Sequence, residues 1–186
     1  MVNPELQLGD RKDRRLAPRR VTVVIVFDFL PEIIYLCEVM SKVRALYHIV
    51  FCTKRREKTI PLNVKEDLYR FIWRKIVDSR CHLLRIGGIQ DHVHILIDLH
   101  PTISLSGLMQ TIKGSSSNWM RTDPRFTAFD GWASDYYACT ISPDARISVI
   151  EYIKNQENHH LGGATSDELL HLYKYADLNF DSRDLL

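Results

Sequence analysis

The stretch Asp91-His92-Val93-His94-Ile95-Leu96 sets two histidines one residue apart inside an apolar run. A β-strand turns successive side chains to opposite faces, so His92 and His94 look the same way together with Leu96, Asp98 and His100. Val93, Ile95, Ile97 and Leu99 look the other way. Two strand steps separate the histidine Cα atoms by roughly 6.5–7 Å, a span across which two imidazole nitrogens can converge on one ion at about 2.0–2.1 Å. The geometry permits a metal site without requiring one. Eight histidines in 186 residues produce about 0.3 such pairs by chance, so the motif by itself is weak.

A second group lies further along, where Ser148, Tyr152 and Gln156 recur at four-residue steps and project together if the segment is helical. Tyr152 has the chemistry of a nucleophile toward phosphorus, and the Gln156 amide oxygen that of a ligand to the ion of His92 and His94. Each has an ordinary reading as well: a helical tyrosine is more often a packing residue and a helical glutamine is usually solvated. His159 and His160 follow one turn on. They read as an exposed helix end, where histidine suits the C-terminal dipole, in preference to further ligands. His48, His82, His100 and His171 receive no role.

Two basic segments offer contacts to single-stranded nucleic acid, which needs cations and stacking groups. Lys54, Arg55, Arg56 and Lys58 form one turn, and Lys113 with Ser115, Ser116, Ser117 and Asn118 offers phosphate-binding donors. Charge runs are commonly solvated loops, and the residue types leave both readings open.

These groups must be positioned by secondary structure, and the pattern of the chain provides it. Ala45–Thr53 is rich in β-branched and aromatic residues and reads as a strand. Asn63 can cap the following helix and Glu66 can complete a capping box, with Leu68, Phe71, Ile72 and Ile76 as its apolar stripe. Cys81–Ile89 alternates as a second strand, the Gln90-Asp91 corner suits a hairpin, and the histidine strand returns from it. Ser104–Arg121 has Leu105, Leu108, Met109 and Ile112 at helical spacing. Gly131–Ser142 reads as a further strand. Ser142-Pro143 then starts a helix through about His160, with Val149, Ile150 and Ile153 on its core side, which Gly162 and Gly163 end before a short last helix. The order predicts an α+β fold: a ferredoxin-like antiparallel sheet with packed helices and the histidine pair on a central strand.

Length and composition bound the rest. A chain of 186 residues, 45% hydrophobic, suits one globular domain that buries roughly 70% of its unfolded surface. A net charge of +2 neither demands nor excludes nucleic acid. Cys37, Cys52, Cys81 and Cys139 form no CxxC pair, which argues against a zinc ribbon or secreted disulfide scaffold and fits a reducing cytoplasm. Basic RKDRRLAPRR precedes an apolar run that superficially resembles a signal peptide or anchor. Asp28, Pro31 and Glu32 interrupt that run, so no membrane association is expected. Residues 1–40 read as a poorly packed extension or a mis-called start, and residues 41–186 as the single domain.

Taken in order, YHIVF near the domain start, DHVHIL, GW before a strand, and EYIKNQ in a late helix resemble the single-tyrosine HUH transposases of small bacterial insertion sequences, including the repeat-associated tyrosine transposases. The likeness covers about Val43 to His160. The extension before Met40 departs from it. HUH denotes histidine, bulky apolar residue, histidine, matched by His92, Val93 and His94. The resemblance implies that His92, His94 and Gln156 bind a divalent metal, that Tyr152 attacks DNA, and that the protein is a homodimer in which the tyrosine helix of one subunit can serve the histidines of the other. It also implies a single-stranded DNA partner with hairpin ends, for which the residues of the two basic segments, Lys54, Arg55, Arg56, Lys58, Lys113 and Ser115, are the candidate contacts.

That chemistry suits these residue types. A metal on a nonbridging oxygen neutralises phosphodiester charge and orients the bond for in-line attack. Attack by the phenol leaves a 5′-phosphotyrosine and a free 3′-hydroxyl, so cleavage and rejoining are one reversible reaction without ATP. Mg²⁺ or Mn²⁺ suits phosphoryl chemistry better than zinc. Two other functions stand beside this one. A catalytically silent relative would grip DNA hairpins without cutting them. A metallohydrolase barrel using HxH and water takes about 250 residues, more than this chain has, and would have no need of Tyr152.

Overall fold

The computed structural model describes residues 42–156 and 165–179. The expected extension, His159, His160 and the Gly162-Gly163 helix stop lie outside the described residues. Strands β1 (Leu46–Cys52), β2 (His82–Gly88), β3 (His92–Asp98) and β4 (Tyr137–Thr140) form one antiparallel sheet in the order β2-β3-β1-β4. Helices α1 (Lys65–Asp78), α2 (Leu105–Thr122), α3 (Arg146–Lys154) and α4 (Thr165–Tyr175) are interleaved as β1-α1-β2-β3-α2-β4-α3-α4. The first six elements and their strand order make the expected ferredoxin-like α+β plan, with the histidine pair on central strand β3.

Central placement explains the composition of β3. Six of its seven residues are buried, because helices cover both faces of the sheet. Val93, Ile95 and Ile97 pack with Ile49 and Phe51 of β1 against Leu68, Ile72 and Ile76 of α1 and Leu108, Met109 and Ile112 of α2. On the opposite face Leu96 and Leu46 meet Ile153 of α3, while Val50 and Tyr137 meet Leu172 of α4. His92 and His94 share this second face by strand alternation.

Three boundaries differ from the sequence expectations. Asn63 does not cap α1, and the capping box with Glu66 does not form: the N-cap is Val64, with no side-chain cap bond. Val64 is buried, so apolar packing sets the helix entry in place of a polar cap. By contrast Ser104 caps α2, accepting from the Gly107 N–H at 3.2 Å. The strand expected over Gly131–Ser142 shrinks to Tyr137–Thr140, preceded by an isolated bridge between Trp132 and Thr53. Here the Lys113 ammonium donates to the carbonyls of Ser134 (2.7 Å) and Asp135 (3.1 Å), and the Trp132 indole N–H donates to Ser116 Oγ at 2.9 Å. The lysine bonds hold Ser134 and Asp135 against α2, so the pairing with β1 is interrupted between the Trp132 bridge and β4. Finally, α3 stops at Lys154, short of His160.

Candidate active site

His92 and His94 lie with ring centroids 4.9 Å apart and planes at 70°. They are 1% and 0% exposed, and imidazoles this deep need hydrogen-bond partners. His92 Nδ1 donates to the Asp91 carboxylate at 2.7 Å. His94 Nδ1 lies 3.0 Å from Nε2 of His48, itself buried. Asp91 faces Arg56 Nε at 3.9 Å through its other oxygen. Burial opposes ionisation of Asp91, yet the hydrogen bond and charge of His92, with Arg56 behind them, hold its carboxyl below the ordinary aspartate value. Each histidine of the pair is thus oriented through its Nδ1, a common arrangement behind metal-binding imidazoles.

Helix α3 brings the tyrosine. Ser142 Oγ accepts from the Ala145 N–H at 3.3 Å, Pro143 opens a single 3₁₀ turn over Pro143–Ala145, and α3 follows directly. Ile153 is buried against Leu96, while Ser148 on the outer side is exposed and donates back to the Ala145 carbonyl. This rotation sets the Tyr152 ring edge-on to His94 at 5.8 Å and to His48 at 6.0 Å. The backbone closes at Asn155, whose N–H still reaches the Glu151 carbonyl at 3.1 Å. Gln156 lies just past this cap and is 1% exposed, unlike the solvated glutamine of the ordinary helical reading.

Tyr152 therefore stands beside His94 and His48 within a single chain, with buried Gln156 four residues on. Sequence reasoning missed His48 and Asp91. His48 occupies an alternate position of β1 that faces the same way as His92 and His94, a signal available only once β1 and β3 are known to pair. Among the described residues no cluster of three or more His, Cys, Asp or Glu is arranged to hold an ion.

The basic residues separate into distinct environments. Lys54 pairs with Asp130 at 2.8 Å, and Arg55 with Glu57 at 2.9 Å and Asp130 at 3.7 Å. Arg56 folds inward to Asp91, and Lys58 is exposed. Ser115 Oγ donates to the Thr111 carbonyl of its own helix at 2.6 Å. Lys54 and Lys113, far apart in sequence, line one cleft of about 430 Å³ with Ser117, Arg121, Asp130 and Trp132. Burial lowers the Lys113 ammonium from its ordinary value against the opposing charge of Asp135. The turn Lys54–Arg56 thus reaches the cleft at one end and the partner of His92 at the other.

A sheet of this order with HxH on a central strand and a tyrosine helix packed on it matches the plan expected of the HUH single-tyrosine transposases. Residues 41–156 match the family described as IS200-like transposases, and the chain belongs to that family. Its function is accordingly that of a transposase, an enzyme of DNA cleavage and transfer. The chain is 28% identical over 116 residues to the transposase for insertion sequence element IS200 of Salmonella typhimurium, covering 59% of this chain and 75% of that one. The IS200 transposase of Salmonella typhi matches equally. Among solved structures, a protein from Deinococcus radiodurans R1 superposes with a TM-score of 0.51 at 21% identity, over 66% of this chain and 98% of that one. A REP-associated tyrosine transposase bound to a REP hairpin superposes with a TM-score of 0.50 at 14% identity, over 68% and 73%. Both likenesses concern the fold. Among the described residues no helix is long and apolar enough to cross a membrane.

Proposed function

We propose that this transposase cleaves and rejoins single-stranded DNA through a 5′-phosphotyrosine on Tyr152, using Mg²⁺ or Mn²⁺ held by His92, His94 and Gln156. The observation that carries the reading is the Tyr152 ring standing 5.8 Å from the His94 ring on the face where both histidines are buried. Two imidazole nitrogens and one amide oxygen fit a divalent ion with coordination positions left for phosphate and water. Bound there, the ion would neutralise charge on a nonbridging oxygen and polarise the phosphorus.

The chain's own residues do the rest. Tyr152 supplies the attacking oxygen, and the new bond to phosphorus replaces the bond to the 3′-oxygen of the upstream fragment. The proton lost by the phenol is matched by the one the departing 3′-oxygen takes up. A free phenol has a pKa near 10, so attack at neutral pH depends on holding that oxygen in line with the bond to be broken. Ile153 anchors the helix that does so. Asp91 orients His92.

The cleft of Lys54, Lys113 and Arg121 is the proposed path of the DNA backbone, and Arg55, Lys58 and Ser115 are proposed as further contacts. The neighbour bound to a REP hairpin supports a hairpin-ended partner. A homodimer remains part of the proposal, as do residues 41–186 as the catalytic domain with residues 1–40 outside it. A cytoplasmic setting is part of the proposal, in keeping with four cysteines that form no CxxC pair.

The test incubates protein with Mn²⁺ and a single strand labelled at its 3′ end, the end that stays with the phosphotyrosine. The wild type should retain label in a denaturing gel, and Tyr152→Phe should retain none while binding DNA normally. An adduct on Tyr152→Phe would remove the assignment. Tight hairpin binding by a wild type that forms no adduct would make the chain the silent relative instead.

A further inference from the structure

His48 belongs neither to the histidine strand nor to the tyrosine helix, yet it touches both. Its ring stacks on His94 at 5.3 Å and 21°, and stands edge-on to Tyr152 at 6.0 Å and to Tyr137 at 5.9 Å. In the β1–β3 ladder it pairs with Leu96, so its contact with His94 is the diagonal one across the strands. The ring is 3% exposed. Its Nε2 lies 3.0 Å from His94 Nδ1.

A single proton lies between those two nitrogens, and its position decides what His94 can do. If His48 donates it, His94 accepts at Nδ1 and, being neutral, carries its own hydrogen on Nε2, where no lone pair remains for an ion. If His94 donates it, Nε2 keeps its lone pair and His48 accepts, with its hydrogen on Nδ1. Since Nδ1 of His94 is engaged by His48, Nε2 is the nitrogen left to ligate. His92 reaches the same tautomer by a different route, because the Asp91 carboxylate can only accept.

We propose that His48 is a positioning residue: by accepting the Nδ1–H of His94 it holds that ring in the tautomer and orientation that offers Nε2 as a ligand beneath Tyr152. This deepens the reading above and rests on His94 being a ligand. A filler of the same volume would preserve packing but would supply no acceptor. The role therefore belongs to the ring nitrogen of His48, separately from its bulk.

The experiment has two readouts. In metal-free protein labelled with ¹⁵N-histidine, long-range ¹H–¹⁵N spectra should show His94 protonated at Nδ1 and bare at Nε2. By calorimetry with Mn²⁺ alone, His48→Leu should bind about 10–100-fold more weakly, the usual loss when a partner behind a metal-bound imidazole is removed. His48→Gln, whose amide oxygen can take the place of Nε2, should recover most of the affinity and keep the Nδ1–H form of His94. A wild-type His94 protonated at Nε2 would overturn the proposal, as would a folded His48→Leu that binds Mn²⁺ as tightly as the wild type. If His48→Leu does not fold, the wild-type tautomer and the His48→Gln affinity decide. A wild type that takes up no Mn²⁺ would defeat the ligand reading, while the His94 tautomer would still report on His48.

Discussion

A Cβ added to Gly87 would come within 2.5 Å of the Ile153 carbonyl oxygen and 2.9 Å of its Cγ2, so strand β2 and helix α3 meet almost backbone to backbone. Gly87 is the ladder partner of His94, and Ile153 adjoins Tyr152. The missing side chain is what lets the tyrosine helix sit down on the histidine sheet.

Gly87→Ala should therefore lift α3 while leaving the fold in place. Overpacking of this kind costs about 1–3 kcal/mol, and a displacement of about 1 Å at a reacting group costs about 100-fold in rate. Thermal melts and the rate of covalent adduct formation measure the two effects separately. Adduct formation at the wild-type rate would show that the close approach does not set the position of Tyr152.

Asp91→Ala removes the acceptor behind His92 and the opposite charge near Arg56. Affinity for Mn²⁺ should fall about 10–100-fold. Titration calorimetry reads this directly, and undiminished affinity would mean that His92 is oriented by other contacts or does not ligate.

Arg125 brackets two carboxylates, donating to Asp123 at 2.7 Å and to Asp67 at 2.7 Å. Those hydrogen bonds lower both aspartate pKa values from the ordinary one. A depressed folded-state pKa contributes stability that is fully present above the unfolded value of about 3.9 and is lost as pH falls through the folded value. Wild type should thus be more stable than Arg125→Met near neutral pH, with the gap closing as the pH falls well below 3.9. Denaturant melts across that range check it, and a gap that widens in acid would contradict the sign.

Lys54→Ala should weaken hairpin binding by a similar factor for every sequence tested, because a lysine at a phosphate reads charge and not bases. The slope of log affinity against log salt should fall in magnitude by about 1. Fluorescence anisotropy at several salt concentrations gives that slope. An unchanged slope would place the DNA backbone away from the cleft that Lys54 shares with Lys113 and Arg121.

Much of this molecule is legible from residues close together in the chain. Alternation alone sets His92 and His94 on one face, since a strand's period is two whatever surrounds it. Ser104 announces the start of α2, and Pro143 with Ser142 the turn into α3, because capping and a fixed φ act within a few residues. The alternation of apolar runs and helical stripes is sufficient for the ferredoxin-like plan.

Other features depend on groups that meet only when the core closes. Val64 overrides the Asn63 cap because packing it against the core outweighs one polar contact at an exposed residue. Ser134 and Asp135 interrupt the pairing with β1 because Lys113, on a helix 21 residues before Ser134, donates hydrogen bonds to both of their carbonyls. His48 lies 46 residues from His94 and reads as an unremarkable strand histidine until the register of β1 against β3 brings their nitrogens to 3.0 Å. Local backbone preference decides which way each side chain faces. Only the register of the sheet and the seating of α3 on Gly87 decide which side chains become neighbours, because those depend on the whole core being assembled at once.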